Sequence, residues 1–218
     1  MASLKTKTRV RDREFRQEAL LRAASKLFAS KGFETTTTRE IAAEAGCAEG
    51  LIHRYFASKQ GLLFAILKQR ASQQVLDLID TSRTTASIEE ELLFLVDCEL
   101  DRAWADREFL KVEVRQAMVD ASFAEVITQI SLTERSKVLG DRLKRFPECR
   151  ELAKNELEAV SHFVFTSGFM FGFMRPVVLR QDRSQTRTMA LTMTKLLSSS
   201  LSTNSFSLDT FQSLPSLR

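Results

Sequence analysis

The chain has 218 residues, 44% of them hydrophobic, which is enough to bury a core and to make one or two domains. Its three cysteines (Cys47, Cys98, Cys149) are odd in number and far apart, and there are only two histidines, which argues against a disulfide framework or a zinc cluster. The net charge of +4 is unevenly placed: residues 1–63 hold 12 Lys/Arg against 7 Asp/Glu, and the rest hold 20 against 21.

Residues 1–16 contain Lys5, Lys7, Arg9, Arg11, Arg13 and Arg16, with no apolar stretch of signal-peptide type behind them. Residues 1–14 read as a basic arm that tracks a nucleic-acid backbone or enters a minor groove. A first helix is predicted over residues 15–30, with Leu20, Ala23, Ala24, Leu27 and Phe28 inward and Gly32 closing it.

Residues 37–56, TTREIAAEAGCAEGLIHRYF, are the most informative stretch. Thr37 and Glu40 have capping-box spacing, so a helix should start at Thr38. Ile41, Ala42 and Ala45 give it one narrow apolar face, and Gly46 ends it in a positive-φ turn. Cys47 reads as a small buried hydrophobe. A second short helix follows over residues 48–55, anchored by Ile52 and Phe56, with a polar and basic outer surface. Two such helices make a helix-turn-helix, whose second helix fits the major groove of DNA. The basic end of the chain is the end with this motif, as an electrostatic footprint on DNA requires. Ser58 then caps a further helix, where outward-pointing amides and the charge of Lys59 suit a phosphate.

That helix carries an apolar stripe (Leu63, Leu67, Ala71, Val75, Leu78) to about residue 80, and residues 81–86 read as a loop. Further helices are predicted over residues 88–105, 108–119, 121–146 (ended by Pro147), 150–174 (stopped by Pro176) and 184–200. Glu89, Glu90 and Glu91 read as a solvated helix start. Residues 202–218 read as a mobile tail. No stretch alternates long enough for a strand, so the fold class is all-α. The run 159–174 is apolar on every side but shorter than a bilayer span needs, so it is read as buried and not as a membrane anchor. Gly168 and Gly172, four apart on it, would allow a second subunit to approach closely.

The run from Ala19 to Leu67 resembles the tetracycline-repressor (TetR) family of bacterial transcription regulators. Gly32-Phe33, Thr37, Ile41-Ala42, Ala45-Gly46, Gly50, Tyr55-Phe56, Ser58-Lys59 and Leu62 carry the resemblance. Three positions depart from it: Ala48 for a capping Ser or Thr, His53 for a frequent Tyr, and Leu51 for a frequent Thr or Ala. The resemblance implies a three-helix DNA-binding domain over 15–63, then a helical effector-binding and dimerisation domain over 64–201. It also implies a cytoplasmic homodimer that binds operator DNA and a small-molecule effector, without cofactor, metal or catalytic residues.

Carried over by position, Arg39, Glu49, Leu51 and Arg54 are candidates to read bases, and Thr37, Thr38, His53, Tyr55 and Lys59 to position the duplex. Glu49 has an equal alternative as the acidic complement of a helix dipole. Phe94, Trp104, Phe109, Met118, Phe123 and Phe163 are candidates for an effector cavity, their Phe and Met content suiting an apolar or aromatic ligand. Gly168, Phe169, Gly172, Phe173, Leu191 and Leu196 are candidates for the dimer interface. The expected function is a repressor released from DNA by its effector. The alternatives are a nucleoid-type DNA-binding protein without effector and a helical enzyme; no phosphate loop, nucleophile elbow or metal cluster favours the latter.

Overall fold

The computed structural model describes residues 2–79 and 85–202, with side chains for 11–79, 85–129 and 133–202. Among these residues every regular element is helical: α1 (Ala2–Lys31), α2 (Thr38–Glu44), α3 (Gly50–Phe56), α4 (Lys59–Ile79), α5 (Ile88–Ala105), α6 (Arg107–Val119), α7 (Ala121–Ile127), α8 (Glu134–Leu143), α9 (Pro147–Arg150), α10 (Lys154–Ser167) and α11 (Arg183–Ser202). Two π-helical stretches, Thr128–Thr133 and Gly168–Val178, continue α7 and α10. The loop expected at 81–86 falls largely, and the tail after 202 wholly, outside the described residues.

Two compact units result. The first takes the chain up to Leu76 and also Glu108–Ser131. Its core joins Leu20, Ala24 and Phe28 of α1 to Ile41, Ile52, Leu62 and Leu63, and closes with Phe109 and Val112 of α6 and Phe123 of α7. The sequence division at residue 63 therefore differs from the packing: α6 and α7 belong with the N-terminal helices. α1 is one helix from Ala2 onward, so residues 2–14, expected as a basic arm ahead of the first helix, are part of that helix. Neither Gly nor Pro interrupts that stretch.

The second unit uses Asp77–Arg107 and the chain from Leu132 onward. α5 is its central strut, flanked by α10, the π-helical stretch after it, and α11. A Cβ on Gly168 would lie 2.6 Å from the Cβ of Glu99, and one on Gly172 would lie 2.8 Å from the Leu100 carbonyl oxygen and 2.9 Å from the Ala103 Cβ. These two glycines thus bring α5 of the same chain close, which corrects their assignment to a subunit interface. Phe173 is likewise buried in its own chain. Pro176 does not stop the helix: the wider π turn carries past it to Leu179, whose amide donates to the Met174 carbonyl five residues back. Lys154–Val178 is long and apolar enough by composition to cross a bilayer, but here it packs along α5, α8 and α11.

The same unit buries charge. Glu91 is fully buried, held by Arg142, by Arg145 (2.7 Å) and by the Thr85 hydroxyl (2.6 Å), so it is no solvated helix start. Glu99 pairs with Arg102 (2.5 Å) and Arg135 (2.6 Å), and the Arg135 guanidinium lies 4.1 Å from the Phe165 ring centroid. Cys98 and Cys149 are not activated thiols. Burial pushes Cys149 up to about 11. Partial burial also raises Cys98; Arg102 opposes this, while Asp97, Glu99 and Asp101 add to it.

Candidate nucleic-acid interface

The motif is built by local bonds. Gly32, at φ +88, turns the chain out of α1. The Thr37 hydroxyl accepts from the Glu40 amide at 3.2 Å, and the Thr37 amide donates to the Glu40 carboxylate at 2.9 Å, so α2 starts with the expected capping box. The Lys31 ammonium, followed by the Thr37 amide and hydroxyl, holds the Glu40 carboxyl down at about 2. Gly46, at φ +62, makes the turn, and the Cys47 amide returns to the Ala42 carbonyl at 2.9 Å. Ile41 and Ile52 are completely buried, which fixes α2 and α3 to one core. Their opposite faces leave Thr37, Arg39, Ala48, Glu49, Gly50, His53 and Arg54 exposed.

The start of α3 is held in an unexpected way. Ala48 has no side chain to cap with, and α3 begins two residues late, at Gly50. The Thr38 hydroxyl instead donates to the Glu49 carboxylate at 2.5 Å, tying the first turn of α2 to the start of α3. Glu49 thus has a third role, which neither base reading nor the helix dipole foresaw.

The far end of α3 is sharper. Ala57 sits at φ 65, ψ −39, and the Ser58 amide donates to the Phe56 carbonyl two residues back at 2.8 Å. This is a strained γ-turn. The Ser58 hydroxyl accepts from the Gly61 amide at 3.0 Å and caps α4 as predicted. A Cβ on Gly61 would stand 1.9 Å from the Phe56 carbonyl oxygen, so only glycine lets α4 begin this close to α3.

The family profile described as "Bacterial regulatory proteins, tetR family" matches residues 20–66, the stretch that forms this interface. Over 156 residues the chain is 32% identical to YvkB, an HTH-type transcriptional regulator of Bacillus subtilis (strain 168), which covers 71% of this chain and 78% of that one. The chain belongs to the TetR family. Its fold is shared with FadR from Bacillus subtilis, solved in complex with stearoyl-CoA (TM-score 0.66, 17% identity, 84% of this chain and 97% of that one). A TetR transcription regulator from Haloarcula marismortui ATCC 43049 is similar (TM-score 0.63, 19% identity, 85% and 97%).

Within this TetR-type motif the candidate DNA residues are not equivalent. Leu51 and Tyr55 are half-buried against the core. Lys59 is not a free cation. Its ammonium donates to the carbonyls of Phe33 (2.9 Å), Thr36 (3.0 Å) and Glu34 (3.3 Å), and stands 4.4 Å from the Phe33 ring centroid. The side chain pins the α1–α2 loop, and its assignment as a phosphate ligand is withdrawn. Lys59→Met is expected to cost about 2 kcal/mol of stability, as charged hydrogen bonds are lost, and to leave the salt dependence of DNA binding unchanged. Thermal melts and a salt titration check this.

The effector candidates do not converge on one site. Phe109 and Phe123 are core of the first unit, and Met118 is 81% exposed. In the second unit Trp104 is flanked by the guanidinium groups of Arg107 (4.8 Å) and Arg183 (4.6 Å), and Phe163 packs on the core. Phe94 and Leu191 share an open groove of about 760 Å³ between α5 and α11, rimmed by Glu90, Asp97, Arg187 and Lys195. Leu191 thus lines a groove within its own chain, while Phe169 (38%) and Leu196 (69%) remain exposed.

Proposed function

We propose that this DNA-binding transcription regulator is a homodimeric repressor, reading its operator with α3 and released by a small effector with an apolar body. The observation that carries the DNA reading is the seating of α2 and α3 on the buried Ile41 and Ile52, which leaves Arg39 exposed on the capped helix α2 and His53 and Arg54 exposed on α3. Arg suits the O6 and N7 acceptors of guanine.

Exposed Phe169, Met170, Met189, Met193 and Leu196, on the π-helical stretch and α11, support dimerisation, because apolar side chains clustered on two elements favour a partner surface. A dimer places two recognition helices about 34 Å apart, one turn of DNA. The effector reading is supported by the TetR-type fold shared with FadR, which was solved with stearoyl-CoA. A ligand that prefers a different helix arrangement would shift the population away from the DNA-binding spacing.

Selection from a random duplex library tests the reading. The expected product is a palindrome with half-sites one turn apart, and a featureless pool would refute it. Arg39→Ala is expected to relax one base pair per half-site by about 1–3 kcal/mol. Equal weakening on every sequence would reassign Arg39 to the backbone. Displacement of the bound duplex by a panel of acyl-CoA thioesters and aromatic compounds tests the effector class.

A further inference from the structure

Within the first unit, the end of α1, the turn after it and α6 line a cleft of about 250 Å³. Its floor is apolar. Phe28 and Phe33, with ring centroids 5.1 Å apart, line it together with Val112 of α6, and all three are buried. Its rim is charged. Glu108, Lys111 and Arg115 line it at i, i+3 and i+7, which is one face of α6, and Lys31 and Glu34 line it from the end of α1 and the turn.

Most of these rim charges already have partners. Lys31 pairs with Glu40 at 2.7 Å, and Lys111 with Glu108 at 2.9 Å. The Glu34 carboxylate accepts from the side-chain amide of the buried Gln116 at 3.1 Å. The Arg115 side chain is the exception: it makes no ion pair or hydrogen bond with any described residue. A guanidinium presents a planar fork of donors that fits a carboxylate bidentately. A floor of two phenyl rings and a valine suits an aromatic ring. The cleft is smaller than the roughly 300–1,000 Å³ of sites for drug-sized ligands, so its occupant has a single ring.

We propose that this cleft binds a small aromatic carboxylate, with the acid group on Arg115 and the ring against Phe28, Phe33 and Val112. The proposal is independent of the effector reading above and of any site in the second unit. A bound acid bridges α6 to the turn that leads into the capping box of α2. Lys59 already pins that turn through the carbonyls of Phe33, Glu34 and Thr36. The reading head itself is then a ligand-binding unit. Charge decides the ligand class: a neutral molecule of the same shape leaves Arg115 without a counter-charge, and an amine adds repulsion.

The test uses the full chain, isotope-labelled for nuclear magnetic resonance, and follows the Val112 methyls and the Gly32 amide. The probes are benzoate, phenylacetate and 3-phenylpropionate, each beside its own primary amide. At least one acid should shift both signals saturably, with a Kd of about 5 mM, as about ten non-hydrogen atoms at ordinary ligand efficiency predict. The matching amide should bind about tenfold more weakly or worse, because the charged hydrogen bonds to the guanidinium are lost. Arg115→Gln, at an exposed helical position and with helix propensity kept, should weaken the acid by the same factor, leave the amide unchanged and melt as wild type does. The proposal is overturned if no acid saturates either signal, or if acid and amide bind wild type equally. It is also overturned if Arg115→Gln binds the acid as wild type does, which would mean adventitious association only. Acid-induced shifts around Phe94 and Leu191 with none at Val112 would assign the ligand to the other groove and overturn it as well.

Discussion

Gly61→Ala is expected to destabilise the protein and abolish operator binding, although helix propensity predicts the opposite sign. Alanine inside a helix is favoured over glycine by about 1 kcal/mol. At this position the added methyl would stand 1.9 Å from the Phe56 carbonyl oxygen and 3.1 Å from its carbon. The obstacle is backbone, so no side chain can rotate away. α3 and α4 must separate at a γ-turn that already holds Ala57 at φ 65. Overpacking of this kind costs about 3 kcal/mol, which outweighs the propensity gain and displaces the recognition helix as well. Gly50→Ala is the control, since nothing lies within 4 Å of its Cβ position; it should keep or raise the melting temperature. A Gly61→Ala protein with wild-type melting and wild-type operator affinity would show that the α3–α4 junction is loose.

The second large effect is expected at Glu91. Replacing it with Ala would leave the Arg142 guanidinium, whose side chain is only 8% exposed, without its buried counter-charge. Removing one partner of a buried pair costs about 3–5 kcal/mol. Burial raises the Glu91 carboxyl, but the hydrogen bonds from Arg142 and Thr85, and the charges of Arg142 and Arg145, outweigh it and leave it below the ordinary value of 4.5. A carboxyl lowered on folding contributes stability that is complete above its unfolded value and is lost as pH falls through the folded one. Wild type should therefore shed stability below about pH 4, and the Glu91→Gln variant should lack that component. Urea midpoints measured from pH 6 to pH 3 would show it. Parallel curves for the two proteins would mean that Glu91 is already protonated in the folded state.

What the sequence made legible follows from the range of the interactions. The Thr37–Glu40 box, the Gly46 turn and the Ser58 cap close within three or four residues, and all form as expected. α5 runs over the predicted span, since Ser87 caps it and its apolar spacing is regular. The misreadings depend on partners far along the chain. Lys59 looked like a surface cation until the carbonyls of the α1–α2 loop, 23 to 26 residues earlier, were placed around it. Glu91 looked solvated because Arg142 follows 51 residues later. Gly168 and Gly172 signalled a close helix approach, and that was right; the spacing does not say which helix approaches, and α5 does. Phe109 and Phe123 were assigned by residue type to a cavity, but the core of the first unit claims both.

The grouping of α6 and α7 with the N-terminal helices bears on engineering. Gln116 donates to the Glu34 carboxylate at 3.1 Å, and Gln60 to Asp120 at 2.9 Å, so the DNA-reading end is stitched to a segment encoded some 60 to 80 codons later. A chimaera that fuses this reading head to a foreign sensor at a single cut after α4 would discard Phe109, Val112 and Phe123 with the sensor and leave the head hollow. A working graft has to transplant residues 108–131 as well, which makes the exchangeable cassette discontinuous in the gene.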